Sequence, residues 1–146
     1  MKPPAQNHIP MRIIALYGRG NCGKSETLLH LKDMLRTVGT LLSHSQPWEK
    51  DSKKTFRYHD QTICVTPGGD NLPIIQANLA YLEQEKGDIL VTAARTRGAG
   101  VDRLNRYAHD HGIQVEWVKK AYDDALPPHE QADCNRQKAE KLLGLL

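Results

Sequence analysis

A chain of 146 residues, 39% of them hydrophobic, is the size of one ordinary domain and can bury one core but not two. With one Phe, two Trp and five Tyr, packing must be aliphatic, which favours a layered α/β core over an aromatic-rich β-sandwich. The net charge of +3 is spread along the chain, which suits a partner that is an anion and argues against nucleic acid as the primary partner, because no dense basic block is present.

Residues 1–10, MKPPAQNHIP, are polar and proline-rich and predict a flexible arm ahead of a single domain over residues 11–146. MRIIALY (residues 11–17) is a short apolar run between a proline and glycines, as a buried strand requires. From Ser25 the period changes: Leu28, Leu31, Leu35 and Val38 recur at helical spacing beside Met34, with Gly39 as the stop. Residues 40–44, TLLSH, predict a second strand, and the polar SQPWEKDSKK a loop.

TFRYHDQTICVT reads either as a hairpin around His59, Asp60 and Gln61, giving the sheet an antiparallel edge, or as a loop followed by one strand over residues 62–66. After PGGDN, Asp70 or Asn71 can cap a helix with Pro73 in its first turn; Leu72, Ile75, Leu79 and Leu82 form its stripe and Gly87 ends it. DILVTAA (residues 88–94) is a second central parallel strand. Val101, Leu104 and Ala108 mark a short helix ending by Gly112, and residues 113–118 alternate as a strand. DDALPPH is a loop, and a helix follows from about Glu130 to Leu146, its leucines packing within the monomer. The repeated strand–helix order gives an α/β three-layer sandwich.

Residues 18–25 read GRGNCGKS and satisfy G-x-x-x-x-G-K-[ST], between a predicted buried strand and a predicted amphipathic helix. Gly18 and Gly23 leave the backbone uncovered, so that amides from Arg19, Gly20, Asn21, Cys22, Gly23, Lys24 and Ser25 can form an anion nest. The helix start, including Glu26, adds unpaired N–H groups and the positive dipole end. Lys24 would carry charge to the β- and γ-phosphates and the Ser25 hydroxyl would join a Mg²⁺ shell. The bland alternative is a tight turn with a surface lysine and a capping serine.

On these residues the chain resembles the P-loop NTPase superfamily. The resemblance implies a mostly parallel sheet between helices, binding of ATP or GTP, and Mg²⁺. It also implies an aspartate at a strand end to assist the metal. TICVTPGGD carries Thr66 at that point and its first acid at Asp70, so Thr66 and Asp70 are the metal candidates, with helix capping as the rival role for Asp70. Asp88 precedes its strand and belongs to the opposite end. The guanine pattern N-K-x-D is absent, which favours ATP over GTP.

AARTRGAGVDR puts Arg95 and Arg97 after a buried strand, between glycines that would let the loop close as a compressed lid; either guanidinium can neutralise charge on a transferred phosphoryl group. The alternative is a solvated basic loop. Trp48 is a candidate ligand or partner contact, and Arg95, Arg97, Arg103 or the VKK segment could complete a neighbour's site in a homo-oligomer.

Cys22, Cys64 and Cys134 show no paired spacing, so neither a disulfide framework nor a zinc site is expected, and a reducing, cytoplasmic setting follows. No apolar run has the length of a membrane span and the first residues lack a signal core, so no membrane partner is expected. The functional expectation is a Mg²⁺-dependent ATPase. A kinase, with a small-molecule acceptor held over the Asn71 and Arg97 loops, is the first alternative; the second is an ATP-binding regulatory or assembly module engaging a partner protein with little turnover.

Overall fold

RIIALY becomes strand β1 (Arg12–Tyr17) at the interior of the sheet, where Ile13, Ile14, Ala15 and Leu16 are fully buried. An apolar run without alternation is what a parallel strand covered on both faces demands. The computed structural model describes residues 12–20, 22–43, 48–121 and 126–146; the expected N-terminal arm, Asn21, His44 and most of the DDAL segment lie outside them.

The remaining elements are α1 (Lys24–Val38), β2 (Thr40–Leu41), β3 (Lys54–Tyr58), β4 (Gln61–Thr66), α2 (Leu72–Glu85), β5 (Ile89–Ala94), α3 (Ala99–Asp110), β6 (Val115–Lys119) and α4 (Pro128–Leu145). They form a six-stranded sheet in the order β2-β3-β4-β5-β1-β6. The β4-β5-β1-β6 portion is parallel, while β3 runs antiparallel to both of its neighbours. The hairpin alternative is therefore the observed one, with His59 and Asp60 at positive φ (52° and 60°) in the turn.

Helices cover both faces, giving a three-layer α/β sandwich. Leu28, Leu31 and Leu35 of α1 and Ala139 and Leu142 of α4 pack on Ile14, Leu16, Val65 and Val91. On the other face, Ile75, Leu79 and Leu82 of α2 and Leu104, Tyr107 and Ala108 of α3 pack on Ile13, Ala15, Cys64 and Leu90. Each of these leucines is essentially excluded from water, so truncating one to alanine should cost about 2–5 kcal/mol.

Some local expectations shift. The second strand has two residues, and the α1 stripe ends at Leu35, since Val38 is 54% exposed on the last turn. The last strand starts at Val115 because Ile113 still donates its N–H to the Ala108 carbonyl, closing α3. The last helix begins at Pro128, where a missing N–H costs nothing. Among the described residues no helix is long and apolar enough to cross a membrane.

Candidate functional site

The glycine-rich segment leaves the carboxyl end of β1, between β5 and β6. Gly18 donates its N–H to the Ala94 carbonyl at 3.3 Å, and Lys120 donates its N–H to the Tyr17 carbonyl at 2.8 Å. A Cβ on Gly18 would stand 2.3 Å from the Lys120 carbonyl oxygen, so space, rather than backbone angle, requires glycine there. Gly23 is the α1 N-cap at φ 87°, and its carbonyl accepts from the Thr27 N–H at 2.9 Å and the Thr27 hydroxyl at 2.7 Å.

Two buried ammonium groups hold the carbonyls of this segment. Lys24 Nζ donates to the Gly18 carbonyl at 2.6 Å and to the Arg19 carbonyl at 3.0 Å. From the end of β6, Lys120 Nζ donates to the Cys22 carbonyl at 2.7 Å and lies 3.9 Å from Cys134 Sγ on α4. Burial pulls both lysines below their ordinary range, and the Asp70 carboxylate partly offsets this at Lys24. An anion arriving beside Lys24 would favour its ammonium form further.

A cavity of about 220 Å³ opens at the start of α1, lined by Gly20, Gly23, Lys24 and Ser25. Glu26, Lys50, Asp70 and Arg95 complete its wall. Lys50 pairs with Glu26 at 3.2 Å and Arg95 Nε with Asp70 Oδ1 at 3.1 Å, which leaves Lys24 as the surplus cation. For Glu26, burial would raise the carboxyl, but hydrogen bonds from its backbone N–H and from Lys50 outweigh this and hold it below the usual range. The positive end of α1 acts in the same direction as Lys24, so the cavity suits an anion. Among the described residues no three His, Cys, Asp or Glu side chains converge to hold a metal ion.

Of the candidates named from sequence, Gly20, Gly23, Lys24, Ser25, Glu26, Asp70 and Arg95 come together here. Gly18 and Cys22 are buried behind the loop, and Arg19 is exposed beside it. The capping role falls to Asn71, whose Oδ1 accepts from the Ile74 N–H at 3.1 Å, leaving Asp70 to pair with Arg95. Thr66 does not reach the cavity. It is fully buried, and the strand alternation that puts Cys64 on the α2/α3 face puts Thr66 there too. Its hydroxyl and Asn78 Oδ1 are buried without hydrogen-bond partners among the described residues. Arg97 lines a neighbouring cavity. Asp88 accepts from the Thr62 N–H at 2.8 Å, at the opposite end of the sheet.

Two cations escaped the sequence reading. Lys50 arrives from the polar loop after β2, which Lys32 anchors: its Nζ donates to the carbonyls of Glu49, Lys50 and Ser52 at 2.8, 3.0 and 2.8 Å. Lys120, read as part of a basic segment facing a neighbour, is 1% exposed. Trp48 packs edge-on to Phe56 and donates to Asp33 Oδ1 at 3.1 Å, with the Arg36 guanidinium 4.5 Å from its ring centroid, so it covers α1. Burial pushes the Cys64 thiol up to about 12, which makes it inert as a nucleophile.

No protein-family model matches this chain, and neither the curated proteins nor the solved structures contain a match to it.

Proposed function

We propose that this chain is a Mg²⁺-dependent nucleotide-binding protein of the P-loop type that hydrolyses the terminal phosphate of ATP. The observation that carries the proposal is the cavity at the α1 N-terminus, where Lys24 and Ser25 of GRGNCGKS meet Arg95 and Asp70. The donor set fits a triphosphate: an ammonium, a hydroxyl, a guanidinium and a helix start.

In this reading Lys24 and the first amides of α1 bind the β- and γ-phosphates. Ser25 would hold Mg²⁺ together with phosphate oxygens, an arrangement that suits an ion which keeps most of its waters, and the ion would supply charge neutralisation. Asp70 orients the attacking water, whose oxygen bonds to the terminal phosphorus as the bond to the ADP oxygen breaks; ADP leaves with that electron pair, and the water's proton passes to an oxygen of the phosphate released. Arg95 stabilises the charge that spreads over the transferred group. The lack of N-K-x-D favours ATP over GTP.

Lys24→Ala should weaken binding of a non-hydrolysable ATP analogue by about 10–100-fold, the worth of a charge-assisted phosphate contact, with the circular dichroism spectrum unchanged. Equal affinity in wild type and variant would remove Lys24 from the site. The strand-end position held by buried Thr66 favours one second reading, an ATP-binding regulatory or assembly module; analogue binding with no ADP release by the wild type would select it.

A further inference from the structure

No residue of β6 or α4 lines the cavity at the start of α1, yet the last strand and the last helix brace the loop from behind. Lys120, which follows β6, is 1% exposed and donates from Nζ to the Cys22 carbonyl at 2.7 Å. On α4, Asn135 is 3% exposed, and its Oδ1 lies 3.4 Å from the Thr27 hydroxyl. That hydroxyl donates to the Gly23 carbonyl at 2.7 Å, beside the helical bond from the Thr27 N–H at 2.9 Å. The two arms meet where Cys134, one position before Asn135, sets its Sγ 3.9 Å from Lys120 Nζ. Two consecutive carbonyls, at the point where the loop becomes α1, are thus backed by contacts that span 98 and 108 positions of sequence.

A trans peptide is planar, so the carbonyl of one residue and the N–H of the next point in opposite directions. Drawing the Cys22 carbonyl toward Lys120 therefore turns the Gly23 N–H away from it. Fixing the Gly23 carbonyl does the same for the Lys24 N–H. Gly23 and Lys24 both line the cavity, and their amides are among the donors at a helix start that no helical carbonyl takes up.

We propose that Lys120 and Asn135 are positioning residues for the phosphate site: neither touches the nucleotide, and together they aim the Gly23 and Lys24 amides at it. Lys120 acts through the Cys22 carbonyl and Asn135 through Thr27. The proposal rests on the nucleotide reading and deepens it, with hydrolysis proceeding as described. Asn135 is neutral, so its effect is one of direction and not of charge.

The test measures binding of inorganic triphosphate and of a non-hydrolysable ATP analogue, each with Mg²⁺, to the full chain and to Lys120→Met and Asn135→Leu, at low and high salt. Both variants should bind both ligands about fivefold or more weakly, the worth of one misdirected hydrogen bond. The factor should be the same for the two ligands, because the amides meet phosphates alone, and it should persist at high salt, where a remote charge is screened. In a Thr27→Val background Asn135→Leu should weaken binding no further, since the hydroxyl through which it acts is gone. Residual dipolar couplings of the Gly23 and Lys24 N–H bonds, which report bond direction, should change in each ligand-free variant. Wild-type affinity in either folded variant, or a loss in Lys120→Met that vanishes at high salt, would overturn the proposal; if one variant does not fold, the other decides. If wild type binds neither ligand, the nucleotide reading fails, and the couplings still decide whether the two residues aim the loop: unchanged values in both variants would show that they do not.

Discussion

The two cavities are built in opposite ways. Around the first, the loop is held from behind: Lys24, Thr27 and Lys120 are all buried, and their donors take up the carbonyls of Gly18, Arg19, Cys22 and Gly23. Around the second, the one charged side chain not shared with the first, Arg97, is exposed, and the shared Arg95 and Asp70 are 46% and 54% exposed. Preorganisation is useful where charge must be stabilised without reorganisation, whereas exposed arginines can adjust to what arrives. The first cavity is thus the more firmly backed of the two.

The sharpest ways to break this comparison are steric. Gly69→Ala would put a Cβ 1.7 Å from the Ala93 carbonyl oxygen at φ +123°, and Gly18→Ala one 2.3 Å from the Lys120 carbonyl oxygen. Each should cost about 3 kcal/mol or more by urea denaturation, and a cost below about 1 kcal/mol for Gly18→Ala would show that the loop is not held rigidly.

A smaller effect concerns the Lys50 loop. Burial, helped by the neighbouring Lys54 charge, pulls Lys32 down to about 8. Between about pH 8 and 10.5 the unfolded chain keeps a proton that the fold has released, so stability rises with pH in that window. Wild type should therefore gain on Lys32→Met as pH is raised from 8 to 10; parallel denaturation profiles would contradict this. The smallest effect is expected at the boundary between cavities. Arg95→Ala breaks an exposed ion pair and should change stability by no more than about 0.5 kcal/mol, and a loss above 1.5 kcal/mol would show that this wall is also rigidly built.

Legibility in the sequence followed the range of the interactions. The periodic stripes of α1, α2 and α3 and the apolar runs of β1 and β5 are local patterns, and they predicted the layers. The glycine-lysine-serine spacing is local as well, and Gly23, Lys24 and Ser25 do line one cavity, while Gly18 is buried. Asp70 and Asn71 are adjacent and chemically alike, so only the hydrogen bond to the Ile74 N–H separates cap from cavity wall. Lys50 gave no signal, because its position depends on Lys32, whose Nζ reaches it across 18 positions of sequence. Thr66 shows the same limit: the strand was found, but the face to which its last residue turns is fixed by register with β5.

The bond from Lys120 to the Cys22 carbonyl spans 98 positions, and that separation bears on the order of assembly. During synthesis the ammonium group emerges 98 residues after the carbonyl that it holds, at about 5–20 residues per second. Until β6 has docked beside β1, the Cys22 carbonyl lacks its bond from Lys120. A nascent chain would carry the spelling of the loop well before it owns the loop's folded shape, which waits until the sheet is whole.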